Sequence, residues 1–487
     1  MPYLPIIGLE IHLRLKTHSK MFCSCPNVPE DTLPNTAICP VCTGQPGALP
    51  ALNAEAVRLG VRLGLALGCA IPNEAHFDRK NYFYPDLPKG YQISQYDFPI
   101  AQNGTVQLET RRIDITRAHL EEDAAKNIHD KTSQTTLVDF NRCGTPLLEI
   151  VTEPDFRDPA EAKLFLQELQ AIARATGASD ADMEKGYMRC DANISLLPID
   201  ENGTALQPGW NPKTEVKNLN SFRAVERALH HEMERQIALL DSGVVPTSAT
   251  RGWNEHSEET FEQRSKETNA DYRYFPEPDL LPLDLQAIRD TERNRLPEFP
   301  AAKRVRLQKE YGFDVETARV LVANHGWADY AEQVMSELDT DNERDPRIVK
   351  LFSGWFTSKL AGLLIEKNTI LASAPISPEN FAEFLRLLAS DAIGSANAQR
   401  LLSLMLDTGT DPSHLLEEHD LGQSMDRHLI TTTVARIIEQ NPDQATSVRA
   451  GKINLLMWFV GGVMKATEGK ADPKQAEEEI KKQLGIG

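Results

Sequence analysis

The sequence lacks a long apolar run and a leader-like start. Its longest apolar stretch, residues 455–464, is about half of the ~20 residues that a membrane-spanning helix needs. Residues 1–4 lead directly into strand-like sequence, without a signal or transit peptide. Together these absences predict a cytoplasmic protein with no membrane segment.

Positive charge is also scarce, because 52 lysines and arginines face 71 aspartates and glutamates, for a net charge of −19. A protein that simply coats nucleic acid is basic, since neutralising phosphates drives its affinity. That class is excluded, and any contact with nucleic acid must be local and led by shape. An acidic total more often indicates only a well-solvated surface.

Several catalytic motifs are missing. The chain has no G-x-x-x-x-G-K-[ST] phosphate loop and no G-x-G-x-x-G dinucleotide motif. None of its seven cysteines lies in a G-x-C-x-G turn of the glutaminase type, and it has no glycine- and serine-rich amidase stretch. If the reaction uses ammonia, another chain must therefore release it.

The first ~290 residues alternate strand-like and helical patterns. Residues 6–15 and 106–116 alternate with period two, whereas residues 54–67, 159–176 and 221–240 have helical periodicity. Because no regular βαβ alternation is present, these patterns predict an α+β domain around a mostly antiparallel sheet.

The strand signal fades after the prolines near residue 300. Residues 301–406 consist of short amphipathic helical patterns, and the Asp407–Pro412 sequence resembles a linker before a second helical region. A chain of 487 residues is too long for one core. We predict three domains, residues 1–293, 294–408 and 409–487, of which the last two are all-α.

Three glycines, Gly60, Gly64 and Gly68, recur every four residues on a predicted helix. In a membrane this spacing favours helix dimerisation, but Arg58 and Arg62 lie between them. We therefore expect this face to pack closely against a sheet.

Four of the cysteines are clustered as Cys23-Ser24-Cys25 and, thirteen residues later, Cys39-Pro40-Val41-Cys42. Two such pairs on tight turns deliver four thiolates to a tetrahedral zinc ion, and a filled shell makes the zinc structural. The alternative is a set of free cysteines. Without a secretory signal, a disulfide framework is not expected.

Acidic groups accumulate at predicted strand ends. Glu10 and His12 are two residues apart, so their side chains share one face of a strand. Further acidic groups are Glu121, Glu122, Asp123, Glu149, Glu153, Asp191 and Glu215. At corresponding positions of a sheet they would form a carboxylate-rich magnesium site. Singly, each would be a solvated surface group.

A loop over residues 77–92 interleaves aromatic residues, prolines and the cations Arg79, Lys80 and Lys89. Such loops suit stacking on a base and holding phosphates. The alternative is a proline-pinned loop that packs on the sheet.

Taken in order, several blocks of the chain resemble the signature blocks of one family, the B subunits of the aspartyl/glutamyl-tRNA(Asn/Gln) amidotransferases. The resemblance covers almost the whole chain. The blocks are residues 8–12, 77–95, 119–126, 144–150, 189–195, 217–222, 271–279 and, near the C-terminus, 454–470.

This resemblance implies a first domain related in fold to glutamine synthetase, called the cradle, followed by a helical domain and a tRNA-binding tail domain. The cradle of the family uses ATP to phosphorylate the side-chain carboxylate of glutamate or aspartate esterified to tRNA. Ammonia then displaces the phosphate and yields Gln-tRNA or Asn-tRNA. The ammonia arrives through a channel from an amidase A subunit, and a small C subunit completes the heterotrimer.

The matching blocks also imply site residues. For the magnesium shell and the catalytic set the resemblance implies Glu10, His12, Glu122, Asp191 and Glu215, with Glu149 as a reserve ligand. Glu122 is the first choice for the base that deprotonates the incoming ammonium. For contacts with ATP phosphates the candidates are Arg79, Lys80, Lys89 and Lys217.

Two other functions remain open at this stage. One is a zinc-containing RNA-binding adaptor without catalysis, and the other is a ligase that amidates a free amino acid without tRNA. The tail, with nine basic and twelve acidic residues after Thr410, has no basic stripe. The absence of a stripe favours recognition of tRNA by shape.

Overall fold

The computed structural model describes residues 2–130, 134–265, 272–338, 346–422, 427–467 and 470–486. Contacts divide the chain into two compact units, Met1–Pro300 and Ala301–Gly487. Two of the family blocks, residues 271–279 and residues 454–470, lie partly outside these described ranges.

The first unit contains every strand that the described residues form. These strands are β1 (Tyr3–Arg14), β2 (Glu74–Ala75), β3 (Asp78–Asn81), β4 (Tyr91–Ser94), β5 (Ala101–Gln107), β6 (Arg112–Glu122), β7 (Lys126–Asp130), β8 (Thr135–Asp139), β9 (Pro146–Thr152), β10 (Met188–Pro198), β11 (Thr214–Leu219), β12 (Ala249–Asn254), β13 (Glu259–Ser265), β14 (Phe275–Pro276) and β15 (Leu283–Asp284). Eight of them form one sheet in the order β13-β12-β11-β10-β1-β9-β6-β5. Among these described strands only β11 and β12 pair in parallel, so the prediction of a mostly antiparallel sheet is confirmed.

One face of this sheet is apolar. On the central strand β1, Ile7, Leu9, Ile11 and Leu13 alternate with polar residues and are fully buried. Each such side chain contributes about 1.5–3 kcal/mol by leaving water. Their partners are the helices α1 (Ala54–Ala66), α2 (Pro159–Ala175) and α3 (Phe222–Asp241), and a fourth helix, α4 (Gln286–Arg293), packs on α1.

Close approach of α1 to the sheet depends on its glycines. A Cβ atom on Gly64 would lie 2.7 Å from Cβ of Ala101 on β5, and one on Gly60 would lie 3.1 Å from Leu120 on β6. The expectation that this glycine face packs against a sheet is confirmed.

The predicted helices agree with α1, α2 and α3 to within one residue at each end. The single strand predicted over residues 106–116 is wrong. β5 ends at Gln107 and β6 begins at Arg112, so this segment is a hairpin whose turn is closed by the Leu108 N–H donating to Arg111 O. Period-two alternation continues through the turn, which is why the pattern concealed it.

The second unit is helical in its described residues, as predicted. Its α-helices are α5 (Pro300–Tyr311), α6 (Val315–Ala323), α7 (Trp327–Leu338), α8 (Pro346–Gly354), α9 (Ala361–Glu366), α10 (Pro378–Ala389), α11 (Ser395–Thr408), α12 (Pro412–Glu418), α13 (Arg427–Gln440), α14 (Pro442–Arg449), α15 (Leu456–Ala466) and α16 (Pro473–Leu484). A π-helical segment, Trp355–Leu360, joins α8 to α9, and short 3-10 turns occur at Leu371–Ser373 and Ile453–Leu455.

Two separate apolar cores lie within this unit. The first extends from Leu307 to Leu421 and the second from Ile430 to Leu484. Gly409 ends α11 in a left-handed conformation at φ 70°, but Leu415 of the following helix still packs into the first core. The division of the chain at residues 293 and 408 stays a prediction.

One continuous helical run, Pro346–Glu366, is long and apolar enough to span a membrane by length and composition alone. Its residues Phe352, Phe356, Leu360 and Leu364 belong to the apolar core of this unit. Burial is confined to one stripe of the run, since 28% of its apolar window is buried.

Candidate active face and four-cysteine site

The face of the large sheet opposite the helices is lined with charged side chains. The register of the paired strands aligns these side chains. His12 on β1 lies opposite Glu149 on β9, which in turn lies opposite His119 on β6. On the other side of β1, Glu10 lies opposite Asp191 on β10. Because side chains alternate along each strand, these groups share one surface.

Four of these residues, His12, His119, Glu121 and Glu149, form what we call the histidine–carboxylate cluster. His12 Nε2 is 3.3 Å from a Glu149 oxygen and 3.4 Å from a Glu121 oxygen. His119 Nε2 is 3.2 Å from the same Glu149 oxygen and 3.8 Å from Glu121. Ligand atoms of His12, Glu121 and Glu149 lie within 4.8 Å of one another, a spacing that suits one metal ion.

Electrostatics couple the members of the cluster. Burial opposes protonation of His119, but the adjacent Glu149 and Glu121 outweigh it and raise the pKa of His119 to about 9. The pKa of His12 is raised for the same reason. Burial works against ionisation of Glu149, yet both imidazoles hold its pKa well below the usual range. The cluster therefore attracts positive charge, which protons supply when no cation is bound.

A lysine and several tyrosines border the cluster. The Lys80 ammonium lies 5.0 Å from the ring centroid of Tyr272. Burial alone would lower the pKa of Lys80, but Glu121, Tyr274 and Glu149 raise it. Burial raises the pKa of Tyr274 to about 12. Lys80 is thus the one predicted phosphate-contacting cation that lies beside the cluster.

A second group of charges, the lysine–carboxylate group, contains Glu10, Asp191, Glu215 and Lys217. Lys217 Nζ hydrogen-bonds to Asp191 and lies 3.1 Å from Glu215. The Asn193 amide donates to Glu10 at 3.2 Å. Two of the predicted magnesium ligands, Asp191 and Glu215, therefore lie around Lys217 rather than around His12.

Glu122 and Arg79 belong neither to the histidine–carboxylate cluster nor to the lysine–carboxylate group. Glu122 follows Glu121 on β6 and points to the opposite face, where it is buried, pairs with Lys89 and accepts a hydrogen bond from Ile93 N at 3.0 Å. Arg79 forms a two-pronged ion pair with buried Glu277, at 2.7 and 2.8 Å. Both pairs have the geometry of buried structural ion pairs.

Glu121 stands among the acidic groups at predicted strand ends, but neither it nor His119 was among the predicted site residues. The signal that identifies them is the one already applied to Glu10 and His12, because His119 and Glu121 are also two residues apart on a strand. Glu122, which was predicted from the same acidic run, lies on the opposite face of β6 from the histidine–carboxylate cluster.

The four clustered cysteines, which we call the four-cysteine site, converge. The sulfur atoms of Cys23, Cys25, Cys39 and Cys42 lie within 4.8 Å of one another. The Cys39 N–H donates a hydrogen bond to Cys42 Sγ at 3.2 Å. The pKa of Cys42 is lowered to about 4, mainly by its hydrogen bond with Cys23. Four sulfur donors at this spacing fit a structural zinc ion.

The other three cysteines stand alone and are buried. Burial raises the pKa of Cys69 and of Cys143 to about 12, and raises that of Cys190 well above its usual value. A thiol with a raised pKa is a poor nucleophile, so these three act as small core residues.

Comparisons with known proteins identify the family to which the chain is similar. A family model described as the GatB/GatE catalytic domain matches residues 5–289, and one described as the GatB domain matches residues 340–484. The first match covers the whole charged face and the four-cysteine site.

Full-length relatives are named as B subunits of the aspartyl/glutamyl-tRNA(Asn/Gln) amidotransferase. The protein of Thermotoga maritima is 43% identical over 493 residues, which cover 99% of each chain. That of Thermosipho melanesiensis is 43% identical over 493 residues, 100% of each chain. That of Halorhodospira halophila is 43% identical over 490 residues, 99% of each chain. Since the matches run from end to end, the chain belongs to the family of B subunits of the aspartyl/glutamyl-tRNA amidotransferases.

Proposed function

We propose that this chain is the ATP-using, tRNA-binding subunit that amidates misacylated Glu-tRNA(Gln), Asp-tRNA(Asn) or both. It would work in the cytoplasm with an amidase A subunit and a small C subunit. The observation that carries the proposal is the histidine–carboxylate cluster, in a chain whose full-length relatives are named as B subunits of this amidotransferase.

The chemistry needs an activated carboxylate. An oxygen of the substrate side-chain carboxylate attacks the γ-phosphorus of ATP, and ADP leaves. Ammonia nitrogen then attacks the acyl carbon, inorganic phosphate leaves and one proton is lost from nitrogen. Both steps place negative charge on phosphoryl oxygens, so cations at the site lower the barrier.

The cluster fits magnesium by its donor set, since Glu121 and Glu149 supply carboxylate oxygens and His12 supplies an imidazole nitrogen. Magnesium prefers oxygen, so the imidazole favours a metal more tolerant of nitrogen at that one position. When bound, the metal offsets charge on the phosphates of ATP.

Lys80 is the cation of this chain best placed to contact a phosphate beside the cluster. Glu10, Asp191 and Glu215 remain proposed ligands of a cation on the same face, in which case Lys217 would have to turn from them toward phosphate. Arg79 and Lys89 are held in ion pairs. They would therefore stabilise the loop between β3 and β4 rather than make the first contacts with the phosphates of ATP.

Glu122 remains our proposed acceptor of the proton from the incoming ammonium. Its ion pair with Lys89 uses the carboxylate form, which is the form that a base needs, but the pair also separates Glu122 from the metal-binding cluster. Ammonia itself would reach the cradle through a channel from the amidase subunit.

The four-cysteine site would hold one structural zinc ion through Cys23, Cys25, Cys39 and Cys42. A shell filled by sulfur leaves no position for a reacting water, so the zinc takes no part in the reaction. Its contribution is to fix the loop between β1 and α1.

ATP hydrolysis by the assembled complex, measured with and without Glu-tRNA, tests the proposal. We expect hydrolysis that depends on misacylated tRNA and magnesium. An RNA-binding adaptor would give none, and a ligase for free amino acids would hydrolyse ATP without tRNA. Either result would overturn the proposal.

Division of labour gives a second test. The isolated chain should release no ammonia from glutamine, and the complex should accept ammonium chloride in place of glutamine. Deleting residues 410–487 should raise the Michaelis constant for Glu-tRNA while leaving ATP binding by the cradle intact. An unchanged constant would remove the tail from tRNA recognition.

A further inference from the structure

Lys20 is a fully buried lysine at 0% exposure. It lies between β1 and Cys23, at the start of the loop that carries the four-cysteine site. Its ammonium donates to Ala37 O at 2.8 Å and to Phe140 O at 3.2 Å, and it lies 3.6 Å from Cys42 Sγ. A buried charge is costly unless an opposite charge and hydrogen bonds compensate it.

Among the residues that the structure describes, the partners of Lys20 Nζ are Ala37 O, Phe140 O and Cys42 Sγ, and no carboxylate is among them. The two carbonyl oxygens satisfy hydrogen bonds but carry no net charge. The remaining partner is the sulfur of Cys42, so the opposite charge must come from the four-cysteine site.

Simple addition of charges supports this. Four thiolates around one Zn²⁺ ion sum to a net charge of −2, and a largely buried centre of that charge requires nearby positive charge. An N–H···S hydrogen bond from an ammonium also withdraws electron density from the thiolate. Metal ligands are commonly oriented and tuned by outer partners of this kind.

We propose that Lys20 is the positioning and charge-balancing residue of the four-cysteine site, and that its ammonium holds zinc in the protein by offsetting the charge of the metal-bound thiolates. The inference rests on the zinc assignment made above. The same ammonium ties the loop to Phe140 O, in the turn that leads into β9.

The experiment compares zinc retention in the full-length chain at one pH. Zinc would be titrated against a chromophoric chelator in wild type, Lys20→Met and Lys20→Gln. Methionine keeps the length and loses charge and donor, whereas glutamine keeps an N–H donor. The matched control is Lys16→Met, since Lys16 lies four residues away and is exposed beside Asp180.

We expect Lys20→Met to weaken zinc binding about 10–100-fold, the usual cost of losing an outer-sphere partner of a metal ligand. Lys20→Gln should weaken it less, and Lys16→Met should leave it unchanged. If Lys20→Met does not fold, Lys20→Gln provides the same test with a smaller expected change.

Thermal unfolding of the zinc-loaded and zinc-free forms separates this role from a purely structural one. A lysine that only caps two carbonyls would, when replaced, destabilise both forms equally and leave zinc affinity intact, and that result would overturn the proposal. Wild-type protein that binds no zinc would instead refute the zinc assignment. Neither outcome bears on amidation, which is measured separately.

Discussion

The cradle contains two sets of metal-type donors that differ in chemistry and in support. The four-cysteine site is all sulfur, lies in a loop, and its ligands are within twenty residues of one another in sequence. The histidine–carboxylate cluster offers oxygen and nitrogen, and three strands hold its ligands, which come from residues 12, 121 and 149. A closed sulfur set stabilises the local chain, whereas an open oxygen set on a rigid sheet is free to meet a substrate.

The largest effect should come from breaking the closed set. Cys39→Ser removes one of the four proposed zinc ligands, and a structural zinc ion contributes about 10–16 kcal/mol of apparent binding free energy in small zinc domains. We expect loss of bound zinc and rapid proteolysis within residues 20–47, with any loss of activity following indirectly. Elemental analysis and limited proteolysis measure this.

The control for this substitution is Cys69→Ser, which alters a cysteine outside the four-cysteine site and should retain zinc. Freshly purified, reduced Cys39→Ser protein with a wild-type zinc content would contradict the assignment.

Two adjacent carboxylates on opposite faces of β6 give the next largest effect. Glu122→Gln leaves the Lys89 ammonium buried and unpaired, which costs about 3–5 kcal/mol of folding free energy. Glu121→Gln should cost less stability, because Glu149 still pairs with both imidazoles, but it should weaken binding of Mn²⁺, used as a probe of the metal cluster. Thermal unfolding and a Mn²⁺ titration followed by electron paramagnetic resonance separate the two effects. If Glu122→Gln weakened Mn²⁺ binding instead, and Glu121→Gln caused the larger loss of stability, the metal would have to lie on the face of β6 that carries Glu122.

The open set can be broken at its central ligand. Glu149→Gln should lower ammonium-dependent formation of Gln-tRNA by about a hundredfold, the upper end of the cost of disturbing a metal site. Folding and glutamine hydrolysis by the partner should continue. Glu153→Gln is the matched control, because Glu153 follows the same strand, is exposed and hydrogen-bonds to Thr116. Equal rates in the two variants would exclude the cluster from catalysis.

Glu122→Ala tests the proposed base in the same ammonium-dependent assay. We expect activity to be lost even where Mn²⁺ binding persists, because the proton acceptor is gone. Amidation at a near-normal rate would remove Glu122 from the mechanism and leave Lys89–Glu122 as a structural pair.

The smallest effect concerns an ion pair far from either metal-type site. Burial opposes ionisation of Glu232, but hydrogen bonds from Arg235 and Gln236 outweigh it and lower its pKa. A lowered pKa means that its stabilisation is complete above the unfolded value of about 4.3 and is lost as the pH falls through the folded value.

Glu232→Gln should therefore cost about 1–3 kcal/mol at neutral pH and flatten the acid side of the stability curve. Chemical denaturation between pH 7 and pH 3 measures this, with exposed Glu234→Gln on the same helix as control. Parallel curves for wild type and Glu232→Gln would contradict the cause given for the shift.

How far the sequence predicts the molecule depends on how local each feature is. The pairs Cys23/Cys25 and Cys39/Cys42 lie in one loop, so spacing alone predicted their convergence. Helix α2, with Asp158 capping Ala160 N and Gly177 just beyond its end, was predicted from nearby residues for the same reason.

Features set by strand register could not be predicted in that way. The meeting of His12 with Glu149 depends on which strands pair and with what offset, which period-two alternation does not contain. The partner of Arg79 is Glu277, 198 residues away, so no local pattern distinguished this ion pair from a phosphate-binding cation.

The order of the strands along the chain has a consequence for folding during synthesis on the ribosome. β1 lies near the centre of the sheet, yet its neighbours β9 and β10 follow it in the chain only from Pro146 and Met188. At roughly 5–20 residues per second, β1 must wait on the order of ten seconds for a partner. During that interval a strand with four aliphatic residues that are buried in the fold is unpaired, so the nascent chain needs protection from aggregation until β9 has been translated.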